Sequence, residues 1–98
     1  MTSAENPSDY LLEAAEEQLS AIQMMYETFA EKRPVMLFDI QEQRIYAYPY
    51  TEFRKELSVR SQRSLKRQYE QAVHEDRMVV FVRDNERRRL VSFSLDRE

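Results

Sequence analysis

The sequence predicts an α+β fold in two layers: a mainly antiparallel four-stranded sheet with helices on one face, in the order αββαββ. Three observations predict it. Apolar residues recur at helical spacing before Pro34, and again between Phe53 and Val73. Two pairs of short β-forming runs, each pair joined by a polar turn, follow the two helical stretches. The chain has 98 residues, which suits one domain and leaves no room for two independent cores. Residues 1–7 are expected to form a flexible tail and residues 8–98 a single domain.

The elements follow in order. Asn6-Pro7-Ser8-Asp9 reads as a helix start: a capping side chain, proline at the first helical position, and an acid in the first turn. Leu11, Ala15, Leu19, Ile22, Met25 and Phe29 write one stripe, with acids early, Lys32 and Arg33 late, and Pro34 as the stop. Val35 to Ile40 and Arg44 to Tyr48 read as a hairpin through Gln41-Glu42-Gln43, closed by Pro49. Thr51 is the expected cap of the next helix. Phe53 and Leu57 mark one apolar turn, whereas Leu65, Tyr69, Ala72 and Val73 mark a second, rotated by roughly a quarter turn at about 100° per residue. A break is therefore expected near Ser58 to Ser61, and the helix is expected to end around Asp76. Met78 to Arg83 and Arg89 to Leu95 read as the last hairpin, with Asn85 as the expected left-handed turn residue. Tyr26-Glu27 and Phe38 recur as Tyr69-Glu70 and Phe81, and Asp39, Ile45 and Tyr48 recur as Asp84, Leu90 and Phe93. A repeated αββ unit and chance recurrence of common residue types both fit this echo.

Composition excludes more functions than it proposes. There is no glycine, so a glycine-rich loop that lets backbone approach a phosphate cannot be built. One histidine and no cysteine remove the usual zinc sets, so neither metal nor cofactor is expected. No apolar run approaches the roughly 20 residues that span a bilayer, so no membrane partner is expected and a cytoplasmic location follows by default. His74-Glu75-Asp76 is the one cluster of catalytic residue types, but consecutive positions do not share a helix face. Ser58, Ser61, Ser64, Ser92 and Ser94 lack the turn context of a nucleophile. A metal-independent ribonuclease toxin survives these exclusions by fold analogy alone; it would need Tyr69, His74, Arg83, Arg87 and Arg89 to converge.

Charge is uneven. Residues 1–31 hold seven acids and no Lys or Arg, whereas the remainder holds fifteen basic residues against eleven acids. Arg60, Arg63, Arg67, Arg87, Arg88 and Arg89 therefore form a candidate anion or nucleic-acid patch, with tyrosines available for stacking. The plainer reading makes Arg60, Arg63 and Arg67 a solvated helix face and pairs the hairpin arginines with Asp84, Glu86 and the acidic first helix; the acidic balance of the chain favours it.

The first and third strands are apolar on both sides, which is normal only for strands covered on both sides. With helices on one face alone, Phe38, Tyr46, Tyr48, Tyr50 and Phe81 would form an exposed interface. The functional expectation is a small non-enzymatic regulatory or adaptor protein that docks another protein or itself, as a homodimer; nucleic-acid binding is the alternative.

Overall fold

In the computed structural model, which describes residues 9–96, the first helical stretch is two helices rather than one. α1 (Asp9–Glu17) and α2 (Leu19–Thr28) meet at Gln18, whose amide donates to the Ala15 carbonyl at 3.0 Å in a tightened turn. The break has a packing cause. α1 lies against the third strand and α2 against the second, so the chain must change direction as it crosses the sheet. The expected tail and the Asn6-Pro7-Ser8 cap lie outside the described residues. A 3-10 turn (Ala30–Lys32) follows, and Arg33 turns the chain out of it in the left-handed conformation.

The first hairpin is β1 (Val35–Asp39) and β2 (Arg44–Tyr48). Pro49, rather than Thr51, precedes the short α3 (Tyr50–Arg54). The expected break falls at residues 55–58, just before its predicted place. Ser58 then caps α4 (Val59–Glu75), accepting a hydrogen bond from the Ser61 amide at 3.2 Å. Asp76 ends α4 in the left-handed conformation, and β3 (Arg77–Asp84) and β4 (Arg89–Asp96) complete the chain. Among the described residues no helix is long and apolar enough to cross a membrane.

The sheet order is β2-β1-β3-β4, with both hairpins antiparallel and β1 parallel to β3. It is thus mixed, and the central pair is joined by a helical crossover through α3 and α4. The expectation of helices on one face is corrected here. Met36, Phe38, Met78, Val80 and Val82 pack with Leu11, Ala15, Ile22 and Tyr26 of α1 and α2. The alternate residues Val35, Leu37, Val79 and Phe81 pack with Phe53, Leu65 and Ala72 of α3 and α4. Two apolar sides on each central strand called for two helical layers, and each half of the chain supplies one.

The sequence echo is matched by the backbone. Each half is a helical segment, a left-handed junction residue (Arg33, Asp76) and a hairpin whose loop ends in another left-handed residue (Gln43, Arg88). Asp39↔Arg44 and Asp84↔Arg89 close the two loops, so Arg88 takes the conformation expected of Asn85. Neighbours across the parallel pair are 44 residues apart, as in Met36↔Val80. Echoed residues are 43 or 45 apart, as in Phe38 and Phe81 or Asp39 and Asp84. Odd offsets against an even register put every echoed pair on opposite faces. The two αββ units are therefore related by an approximate two-fold axis running along the strands between β1 and β3.

Candidate functional site

Two of the places where this scaffold concentrates polar groups or open space flank the central and edge strands. One lies at the carboxyl ends of the parallel strands, where Asp39 and Asp84 are the buried charged residues, 0% and 4% exposed. Arg83 Nε donates to Asp39 Oδ2 at 2.6 Å, and the Glu42 amide donates to Asp39 Oδ1 at 2.9 Å. Burial pushes the Asp39 carboxyl up, but the Glu42 amide and the Arg83 guanidinium outweigh it and hold it below the usual range. Asp84 accepts from the Tyr10 hydroxyl at 2.5 Å, from Gln41 Nε2 at 2.8 Å, and from the Glu86 and Arg87 amides. The Tyr10 bond, then the Gln41 bond, lower its carboxyl pKa, and the same contact raises that of the tyrosine. Gln41 also accepts from the Asn85 amide at 2.8 Å, tying the two hairpin loops together. With so many partners the two carboxylates serve as turn supports, aimed at neighbouring backbone and side chains rather than at open space.

The other place is a groove of about 310 Å³ between α4 and the edge strand β4. Leu57, Leu65, Phe81 and Leu90 form its apolar floor; Ser61, Ser64 and Gln68 on α4 and Ser92 on β4 form its walls. No charged side chain lines it. β4 places Leu90, Ser92 and Ser94 on the α4 side, while Val91, Phe93 and Leu95 turn to the α1 side and join that core. The Ser92 hydroxyl donates to Gln68 Oε1 at 2.8 Å, so one bridge spans the groove. Over β4 this side of the sheet is only partly covered, because α4 sits over β3 and α3 lies on the β2 side against Tyr48.

β4 is an edge strand of eight residues. Its register with β3 runs unbroken from Arg77↔Asp96 to Asp84↔Arg89, so no bulge interrupts it. Between Arg89 and Asp96 it has no charge and no proline, the usual guards of a free edge. Arg60 and Arg67, four residues before and three after Ser64, flank the groove on the outer surface of α4.

The residues singled out from the sequence do not form one surface. Phe38 and Phe81 are buried on opposite faces, in different cores. Tyr46 and Tyr48 are half-buried on the α4 side; the Tyr46 hydroxyl donates to Glu42 at 2.6 Å, and Tyr48 stacks on Phe53 at 5.4 Å. Tyr50 stacks on Tyr69 at 4.4 Å. The arginines divide in the same way. Arg60, Arg63 and Arg67 are exposed on α4, whereas Arg87 packs over the Tyr10 ring at 4.7 Å on the other side of the sheet. Arg88 is exposed in the loop and Arg89 is half-buried on the α1 side. Arginine pairs with carboxylate within the last hairpin, as Arg77–Asp96, and across the parallel strands, as Arg83–Asp39.

The residues of the ribonuclease reading stay apart. The Tyr69 hydroxyl donates to the Arg33 carbonyl at the amino end of β1, and His74 lies near the amino end of β3. Arg83 lies six residues along β3, roughly 20 Å away at about 3.3 Å per residue. Among the described residues no group of three His, Cys, Asp or Glu side chains is placed to hold a metal. The sequence reading weighed Ser61, Ser64 and Ser92 only as nucleophiles and did not place them in a groove, and it did not name Gln68. The signal that could have found them is the strict alternation Val91-Ser92-Phe93-Ser94-Leu95, which marks one covered and one wet side of β4. Comparisons with protein-family models, with curated proteins and with solved structures give no match.

Proposed function

We propose that this chain is a small non-enzymatic adaptor that captures an extended segment of another protein along β4, with a side chain of that segment seated in the α4–β4 groove. The observation that carries this reading is the unguarded eight-residue edge beside an apolar-floored groove. An added strand would pair its backbone with β4, and every second side chain would point to the α4 side. Leu90, which is 43% exposed, and the floor beneath it favour an apolar anchor. Ser61, Ser64, Ser92 and Gln68 supply hydrogen-bonding walls. Arg60 and Arg67 on the outer lip favour carboxylates flanking the anchor, so the partner is an extended peptide with one apolar residue between acids.

Panning a displayed peptide library on the purified chain tests this. Selected peptides are expected to carry an apolar residue flanked by Asp or Glu, and to slow amide hydrogen exchange in residues 89–96. Leu90→Arg, which places a charge on the groove floor at a half-exposed site, is expected to abolish binding while leaving the fold intact. Peptides that protect α1 and α2, or that bind the variant as well as the parent, would refute the reading. A chain that scatters light as a dimer, with β4 amides protected in the absence of peptide, would make a second copy the occupant.

A further inference from the structure

We infer that the opposite flank of α4, where it faces α3, binds single-stranded nucleic acid. A groove of about 170 Å³ between the two helices is lined by Tyr50, Arg54, Val59, Gln62, Arg63 and Lys66. Its lining holds three cations and no acid. Arg54 stands on one bank and Arg63 and Lys66 on the other, so positive charge follows both sides of a channel rather than converging on one point. A chain of phosphates fits that layout better than a single anion does. Neither ion pair among the described residues involves any of the three, so their charge is directed to solvent. Glu52 on α3, Glu56 in the link between the helices and Glu70, one turn beyond Lys66, are the nearest acids in sequence, and none of them lines the groove.

The second half of the argument is aromatic. Tyr50 stacks on Tyr69 with ring centroids 4.4 Å apart and planes 18° from parallel. The ring is thus held from behind, and an incoming base meets a fixed surface at little entropic cost. Val59 is 69% exposed beside it, an apolar side chain available to a sugar or base edge. Arg60 and Arg67 extend the positive surface across the outside of α4. The acidic α1–α2 layer does not cancel it. The molecule measures at least 26 Å along every principal axis, and the Debye length at physiological salt is about 8 Å.

The test is fluorescence anisotropy of a labelled oligouridylate of about 12 nucleotides with the full chain. Binding is expected at about 50 mM salt. With three phosphates neutralised and a slope near −2, it should weaken roughly 15-fold at about 200 mM. Arg63→Glu with Lys66→Glu, both exposed, should remove it. Arg88→Glu, on the far loop, and Leu90→Arg, in the other groove, should leave it unchanged, which separates this inference from the peptide reading. No anisotropy change at the lower salt overturns the inference, as does binding lost in R88E but kept in R63E/K66E. Equal displacement by inorganic polyphosphate of the same charge overturns the assignment to nucleic acid, because the tyrosine would then contribute nothing.

Discussion

In the first αββ half the outer strand β2 has five residues and runs directly into Pro49 and α3, whereas in the second half the outer strand β4 has eight and no element follows it among the described residues. The helical parts differ as well. Two helices joined at Gln18, α1 and α2, cover their face of the sheet from β3 to β2, while the single helix α4 lies over β3 on its own face with a groove between it and β4. The approximate two-fold thus relates two scaffolds that are finished differently. What this teaches is where to look for function. The echoed positions, such as Phe38 with Phe81 and Asp39 with Asp84, are core and turn supports. The candidate sites lie where the symmetry fails, at the bare edge of β4 and on either flank of the single helix α4.

The comparison can be broken most directly at its equivalent core positions. Ile22 and Leu65 are 0% and 1% exposed, and each stands four residues before an echoed tyrosine, Tyr26 or Tyr69. Ile22→Ala and Leu65→Ala are each expected to cost about 2–4 kcal/mol in urea unfolding. A loss below about 1 kcal/mol for one of them would mean that its half does not anchor the sheet. Next in size is Asp39→Asn, which leaves Arg83 without its carboxylate and is expected to cost about 2–3 kcal/mol. Because Arg83 is partly exposed, water recovers some of the loss. An unchanged denaturation midpoint would assign the pair no structural role.

The equivalent carboxylate in the other half is probed by acid. Hydrogen bonding holds Asp84 below its ordinary value, so its contribution to stability is complete above about pH 5. It declines as the pH falls from about 4 through the lowered folded pKa. Tyr10→Phe removes the largest cause of that lowering, so the variant should lose less stability than the parent between pH 5 and acid, starting from a lower plateau. Parallel curves would show that Tyr10 does not hold the carboxylate. The smallest expected effects are Gln43→Gly and Arg88→Gly, each relieving a left-handed non-glycine residue and each stabilising by about 0.5–1 kcal/mol. Different signs at the two loops would deny that they share one conformation.

Much of this scaffold was legible in the residues. Proline at 34 and 49, the apolar stripes and the β-forming runs located both hairpins and the start of α4 to within a few residues. The doubly apolar strands were legible too, but they read as an exposed interface on a sheet with helices on one face, whereas the chain's own helices cover both. The place of each helix was not legible. A stripe at helical spacing says that a helix has an apolar side, but not which face of a sheet that side meets, because Leu65 serves equally well against Leu37 or Phe38. For the same reason Phe38 read as part of one patch with Tyr46, Tyr48, Tyr50 and Phe81, whereas in space those four share the α4-side core and Phe38 lies in the other. The break at Gln18 left no local mark either, since glutamine is a good helix former; its cause is a sheet the helix must cross.

By itself the sequence determined the four strands and the helical stretches between them, the absence of glycine loops and cysteine ligands, and a first third that carries acids and no Lys or Arg before Lys32. These are local or compositional properties, settled by dihedral preference, periodicity and residue chemistry. Tertiary structure alone decided that β1 and β3 run parallel, that the helices flank the sheet from both sides, and that β4 lies bare beside a groove. Those depend on which distant segments bury one another's apolar surface, a choice made by long-range packing that no window of neighbouring residues encodes.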